Sequence, residues 1–241
     1  MAINKLRGTK SADSAAISSP SRTGSYGEAY VQPVGVGRTT LADEGSYYVA
    51  QNSIIGTQLT GHVAPAIADA GIGTKSIIHF FNAGALDVYL DYLMLTTVVA
   101  NATATSVDFL AWTDNKGSTG LTSGGTAITT VYNTRSNSTT ASGISMTAGP
   151  LVTAPLTNVH RVLQRRVKPY IGVALDSYSF VFGNGLWNPT GFALVTAVTH
   201  TLSGCAPVVV GPGGNFYFAQ IGPSGGTTAM TFEFEMGFFE R

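Results

Sequence analysis

The seven residues at 232–238 alternate without exception: Phe232, Phe234, Met236 and Phe238 take one side of the chain, and Glu233, Glu235 and Gly237 the other. A period of two is the mark of a strand with one face in a core and one toward solvent. The same signal recurs upstream. Val107, Phe109 and Ala111 alternate with Asp108, Leu110 and Trp112, and that run stops at the turn sequence Asp114-Asn115-Lys116-Gly117. Ile77, Ile78, Phe80 and Phe81 form a short apolar run closed by Asn82-Ala83-Gly84. From Asp87 to Leu95 the pattern predicts Val88, Leu90, Tyr92 and Met94 on one face, with Asp87 and Asp91 on a solvated one. Further strand-like runs are Ala127 to Tyr132, Tyr170 to Leu175, Tyr178 to Phe182, Phe192 to Thr201, Pro207 to Val210 and Phe216 to Ile221. Short strands separated by Gly/Pro turns predict an all-β chain, an antiparallel β-sandwich of the jelly-roll type, with a small barrel as the alternative.

Two segments depart from this pattern. Val159, Val162, Leu163 and Val167 fall at helical spacing, with His160, Arg161, Gln164, Arg165 and Lys168 opposite, Asn158 as a cap and Pro169 as a stop. They predict the one short helix. Residues 1 to about 60 are rich in Ser and Gly, are broken by Pro20 and Pro33, and keep no period for more than a few residues. They predict an extended N-terminal arm, 1–60, ahead of a β domain over 61–241. Ordering such an arm costs about 1–2 kcal/mol of backbone entropy per residue, so neighbouring subunits are expected to clamp it.

The charge balance limits the partners. Thirteen Lys+Arg face thirteen Asp+Glu, and charged residues are 11% of the chain, against roughly 25% in an average soluble domain. Fifty Ser+Thr and 29 Gly take their place. At zero net charge, such a surface favours association. The chain lacks the basic excess that phosphate neutralisation demands, so no direct nucleic-acid binding is expected. No apolar run has the length of a secretory signal or a membrane span, so synthesis in the cytoplasm and no membrane partner are expected. Cys205 is the single cysteine and is expected to be a buried structural thiol.

Catalytic and metal signatures are sparse. His62, His79, His160 and His200 have no second ligand type at a spacing that would share a face. Asp87 and Asp91, four apart on a strand, stand about 13 Å from each other, too far to share an ion. The glycine pairs at 35/37, 71/73 and 183/185 lack a third glycine and a strand-to-helix context, and no Gly-x-Ser-x-Gly elbow occurs. The expectation is no enzyme, no cofactor and no metal. Two binding features remain. Arg161, Arg165, Arg166 and Lys168 form the densest basic cluster, a candidate docking surface for an acidic neighbouring subunit. Trp187, within Gly183-Asn184-Gly185-Leu186-Trp187-Asn188-Pro189, is a candidate ligand-facing aromatic. Trp112 and Tyr178 are the others that a carbohydrate-binding module would turn to solvent.

Asp43 to Asn52, Ile55-Gly56-Thr57, the strand ending in Asn82, and Pro207 to Gly214 before the C-terminal aromatic strand together resemble virion structural proteins of tailed bacteriophages. The likeness spans most of residues 28 to 241. It implies a jelly-roll virion component without catalytic residues, and an auxiliary or decoration protein of the capsid fits the arm and compact domain best. Its partners would be other copies of itself, as a homo-oligomer with a trimer the first expectation, together with the major capsid protein or other virion proteins. A tail, tail-tip or head-fibre component, or a carbohydrate-binding β-sandwich for host attachment, is the alternative.

Overall fold

The computed structural model describes residues 38–52, 54, 58–62, 74–100, 105–114, 124–151, 159–170, 175–183, 200–222 and 229–241. All belong to one compact unit, Arg38–Arg241. In chain order its elements are α1 (Arg38–Glu44), β1 (Tyr47–Gln51), β2 (Leu59–Thr60), β3 (Ile78–Asn82), β4 (Val88–Val99), β5 (Thr105–Asp114), β6 (Gly124–Ile128) and β7 (Val131–Asn133). There follow β8 (Ile144–Leu151), β9 (Val159–Tyr170), β10 (Ser177–Phe182), β11 (His200–Cys205), β12 (Val209–Val210), β13 (Asn215–Ile221) and β14 (Thr231–Glu240).

Two sheets face each other. One runs β11-β10-β4-β14-β1-β7, with β12 paired to β4 and β2 to β14, and the other runs β6-β8-β3-β13-β5-β9. Within these orders run two sets of four consecutive strands, β1-β14-β4-β10 and β3-β13-β5-β9. Along the chain these eight strands change sheet at every step except from β5 to β9, the winding of a jelly roll. The remaining strands are insertions. Pairing among the named strands is antiparallel except between β10 and β11.

The alternation at 232–238 is realised as expected, with Phe232, Phe234, Met236 and Phe238 buried between the sheets. Phe109 of the six-stranded sheet is the hub of the core. Its ring lies 4.7 Å from Tyr178 and 5.3 Å from Phe180 across the sandwich, and 6.2 Å from both Phe218 and Phe232. Every residue of β13 is buried, so the six-stranded sheet is covered on both faces. Leu110, Trp112, Tyr217, Ala219 and Ile221 make a second apolar cluster on its outer side.

Several expectations need correction. Residues 159–168 are not a helix: they lie in β9, an edge strand paired to β5. The register slips between Ala111 and Trp112, leaving Val162 as an extra residue between Leu163 and Arg161, and slips again where Pro169 falls. A bulge breaks the period of two, so Val162 and Leu163 both pack toward the main core and imitate a helical stripe. The one helix of the described residues is instead α1, closed by a Schellman turn. Gly45, at φ +74°, donates its amide to Ala42 and Ser46 donates to Leu41, both at 3.0 Å. Residues 38–60, assigned to the arm, therefore belong in part to the β domain, because β1 lies between β14 and β7. Ala127 to Tyr132 divides between β6 and β7, which lie in different sheets. β8, hidden in a Gly/Ser/Thr-rich stretch, has no counterpart in the expected strands. The run Phe192 to Thr201 falls largely, and Tyr170 to Leu175 partly, outside the described residues.

Two sequence pieces that carried the phage resemblance meet at one end of the sandwich. The Asn82 side-chain amide donates to the carbonyls of Leu86 (2.8 Å) and Val210 (2.9 Å), and its backbone exchanges hydrogen bonds with Gly213 and Gly214. Gly84 and Gly143 pass so closely that a Cβ on either would meet the other's backbone.

Candidate functional site

The outer face of the eight-stranded sheet carries the densest group of functional side chains. Across β12, β4, β14 and β1, one register row is Val209, Tyr89, Phe239 and Tyr47. Its neighbour, across β10, β4, β14, β1 and β7, is Val181, Tyr92, Gly237, Val49 and Tyr132. Tyr89 and Phe239 stack with centroids 4.8 Å apart. Tyr132 and Val209 are 60% and 47% exposed. This is an aromatic face with polar side chains set around it.

A bulge organises its centre. β14 passes from Gly237, opposite Tyr92, to Phe238, opposite Leu90, so Asp91 has no cross-strand partner. The extra residue shifts the phase of β4. Leu93, Leu95 and Thr97 become buried, Tyr92 and Met94 turn to the outer face, and Asp91 is buried rather than solvated. Asp91 accepts a forked pair of bonds from the Arg38 guanidinium, Nη2 to Oδ1 and Nε to Oδ2, each 2.5 Å. The Tyr47 hydroxyl adds a third bond to Oδ2 at 2.6 Å. One row on, the Tyr92 hydroxyl donates to Glu235 Oε1 at 2.5 Å and the Gln51 amide to Oε2 at 3.1 Å. Gly237 makes room for both phenols, since a Cβ there would strike the Tyr92 ring and the Tyr47 hydroxyl.

The electrostatics of the face hold its phenols in the protonated form. Burial, then the hydrogen bond to a carboxylate, pushes the Tyr47 and Tyr92 phenols far above their ordinary range. Both therefore act as fixed donors. Arg38 is raised as well, chiefly by its bond to Asp91. The carboxylates of the face are Asp91, Glu233 and Glu235, and Arg38 pairs with the first of them.

A second polar group lies in the six-stranded sheet. His79 stacks on Tyr217 at 4.8 Å, and its Nε2 lies 2.9 Å from Asn215 Oδ1. The Asn215 amide in turn donates to Asp114 Oδ2 at 3.3 Å. That orientation makes Nε2 the protonated nitrogen and leaves the buried Nδ1 without a partner. Desolvation lowers the His79 pKa against the opposing pull of Asn215.

The residues singled out from the sequence are dispersed. Arg161 is exposed, lies 5.7 Å from the centre of the Trp112 ring and donates to Gln164 at 2.9 Å. Arg165 is exposed at the register position of Phe109. Arg166 and Lys168 lie in the same strand, with Arg166 in register with Asp108. The cluster thus lies on an edge strand rather than a helix face. Trp187 lies outside the described residues. Trp112 and Tyr178 are 0% and 1% exposed and offer no solvent-facing platform. Cys205 is buried, and burial pushes its thiol up to about 11. Among the described residues no three His, Cys, Asp or Glu side chains gather to hold a metal ion, and no helix is long and apolar enough to cross a membrane.

Compared with known proteins, the chain matches no family model, no curated protein and no solved structure.

Proposed function

We propose that this chain is a non-enzymatic structural subunit of a virion, an auxiliary protein that decorates a phage capsid and assembles with copies of itself. The observation that carries the reading is the pairing of a jelly-roll strand order with an aromatic, acid-rimmed outer sheet face. Jelly rolls serve viral shells, lectins and cupins alike, so the fold argues only by analogy and the surface must decide. Here the surface favours protein contact. Its tyrosines are held rigid by hydrogen bonds to carboxylates of the same chain, and tyrosine is a residue type that protein interfaces concentrate. The low overall charge lets neutral Ser/Thr/Ala surfaces pack without the desolvation penalty of buried charges.

A tail or fibre location, or host attachment through a carbohydrate, is the second reading. Tyr132, exposed beside this face, is the residue that favours it. Co-sedimentation with assembled shells of the encoding virion tests the first reading. Binding at a fixed copy number supports it, whereas a chain left in the supernatant that is retained on immobilised glycans contradicts it.

A further inference from the structure

We propose that the outer face of the eight-stranded sheet is the docking surface for residues 1–37 of a neighbouring copy, an inference that rests on the assembly reading and names its contact. Charge is the first argument. Four of the 13 Lys+Arg and two of the 13 Asp+Glu lie in residues 1–37, so the segment is net basic while residues 38–241 hold nine basic against eleven acidic. Lys5, Arg7, Lys10 and Arg22 stand against Asp13 and Glu28. The face opposes them with Glu233 and Glu235. Both Glu235 oxygens are held by neutral donors, Tyr92 and Gln51, which fix the carboxylate in place without neutralising its charge.

The second argument is where the segment ends. Gly37 is joined to Arg38, whose guanidinium already grips Asp91 on this same face. Arg38 thereby shows the chemistry the face accepts: a guanidinium fork on a carboxylate beside tyrosine rings. Tyr26, Tyr30, Val31, Val34 and Val36 give the segment apolar side chains to set against Tyr89, Phe239, Val49 and Tyr132.

Reach is the third argument. Thirty-seven extended residues span at most about 120 Å, whereas a domain of this size has a radius of gyration of about 17 Å. Nothing in that length confines the segment to its own domain. Exchange around a closed ring fills every face with one segment and leaves none over.

The test uses the full-length chain. Light- and heavy-isotope protein are mixed under conditions of subunit exchange, then treated with a carbodiimide that joins lysine amines directly to carboxylates. Lys5 or Lys10 linked to Glu233 or Glu235 in light–heavy pairs is the expected result. Links to Glu233 fall several-fold in Glu235→Lys and also in Arg7→Glu, which lies outside the β domain and so keeps the test open if Glu235→Lys misfolds. Links confined to one isotope overturn the neighbouring copy as occupant. An oligomer whose lysines link elsewhere overturns this surface but leaves the assembly reading standing. A monomer overturns both.

Discussion

Asp91 accepts the Tyr47 hydroxyl at 2.6 Å because a single extra residue in β4 leaves that carboxylate without a cross-strand partner. A bulge that re-aims one side chain is a recurrent device in sheets. Here it brings α1, β1 and β4 to one point.

The carboxylate should be worth more than a surface ion pair. Arg38 is 58% exposed, so solvent screens its share, but Tyr47 and Asp91 are buried. Asp91→Ala, which leaves a buried phenol unpaired, should cost about 1–3 kcal/mol. Denaturant unfolding of Asp91→Ala, Tyr47→Phe and the double variant measures this, and a positive coupling between the two sites is expected.

Gly237 is required by the side chains around it, not by its backbone angles. Gly237→Ala must push aside the Tyr92 ring and the Tyr47 hydroxyl, breaking the bonds to Glu235 and Asp91. A loss of about 1–3 kcal/mol is expected, and a thermal melt reads it. Pairing with Tyr92→Ala, which frees the space, should recover part of it.

Acid should weaken the fold through His79. Its folded pKa lies below the unfolded value near 6.5, because burial disfavours the charged ring. The unfolded chain therefore binds the proton first. Stability is full above about pH 6.5 and is lost as pH falls through the folded pKa. His62, lowered first by burial and then by Lys75, acts in the same direction. His79→Gln should flatten the pH dependence of unfolding without abolishing it; an unchanged slope would mean that His79 does not carry the effect.

The basic cluster has a structural use whatever it binds. β9 is a long edge strand, and exposed edges invite pairing between molecules unless charges, bulges or proline blunt them. β9 has all three: two register slips, Pro169, and the exposed Arg161 and Arg165. Arg161→Thr combined with Arg165→Thr and Pro169→Val should raise aggregation measured by light scattering, with little change in the folded core.

The sandwich was legible because its main strands read either as alternation, in β5, β10 and β14, or as short apolar runs, in β3 and β13. The jelly-roll order was an expectation from strand count and length, and only pairing between distant segments establishes it. The bulges account for much of what was misread. An extra Val162 made β9 look helical, and an extra Asp91 reversed the faces of β4 beyond it. The clue at Leu90-Asp91-Tyr92-Leu93 was a charged residue set in an apolar run where strict alternation would place it in solvent. α1 was hidden because seven residues give too short a helical stripe to see, although Gly45 was present as a stop. The outer-face site was illegible for a different reason: Arg38, Tyr47, Asp91 and Glu235 are far apart in sequence, and only the sheet brings them together.

The central claim is that this jelly roll exists to assemble. Native mass spectrometry of the full-length chain tests it most directly. The account predicts a discrete closed oligomer, with a trimer the first expectation, that dissociates as ionic strength rises and screens the acidic face. A monomer at every concentration and salt would contradict it.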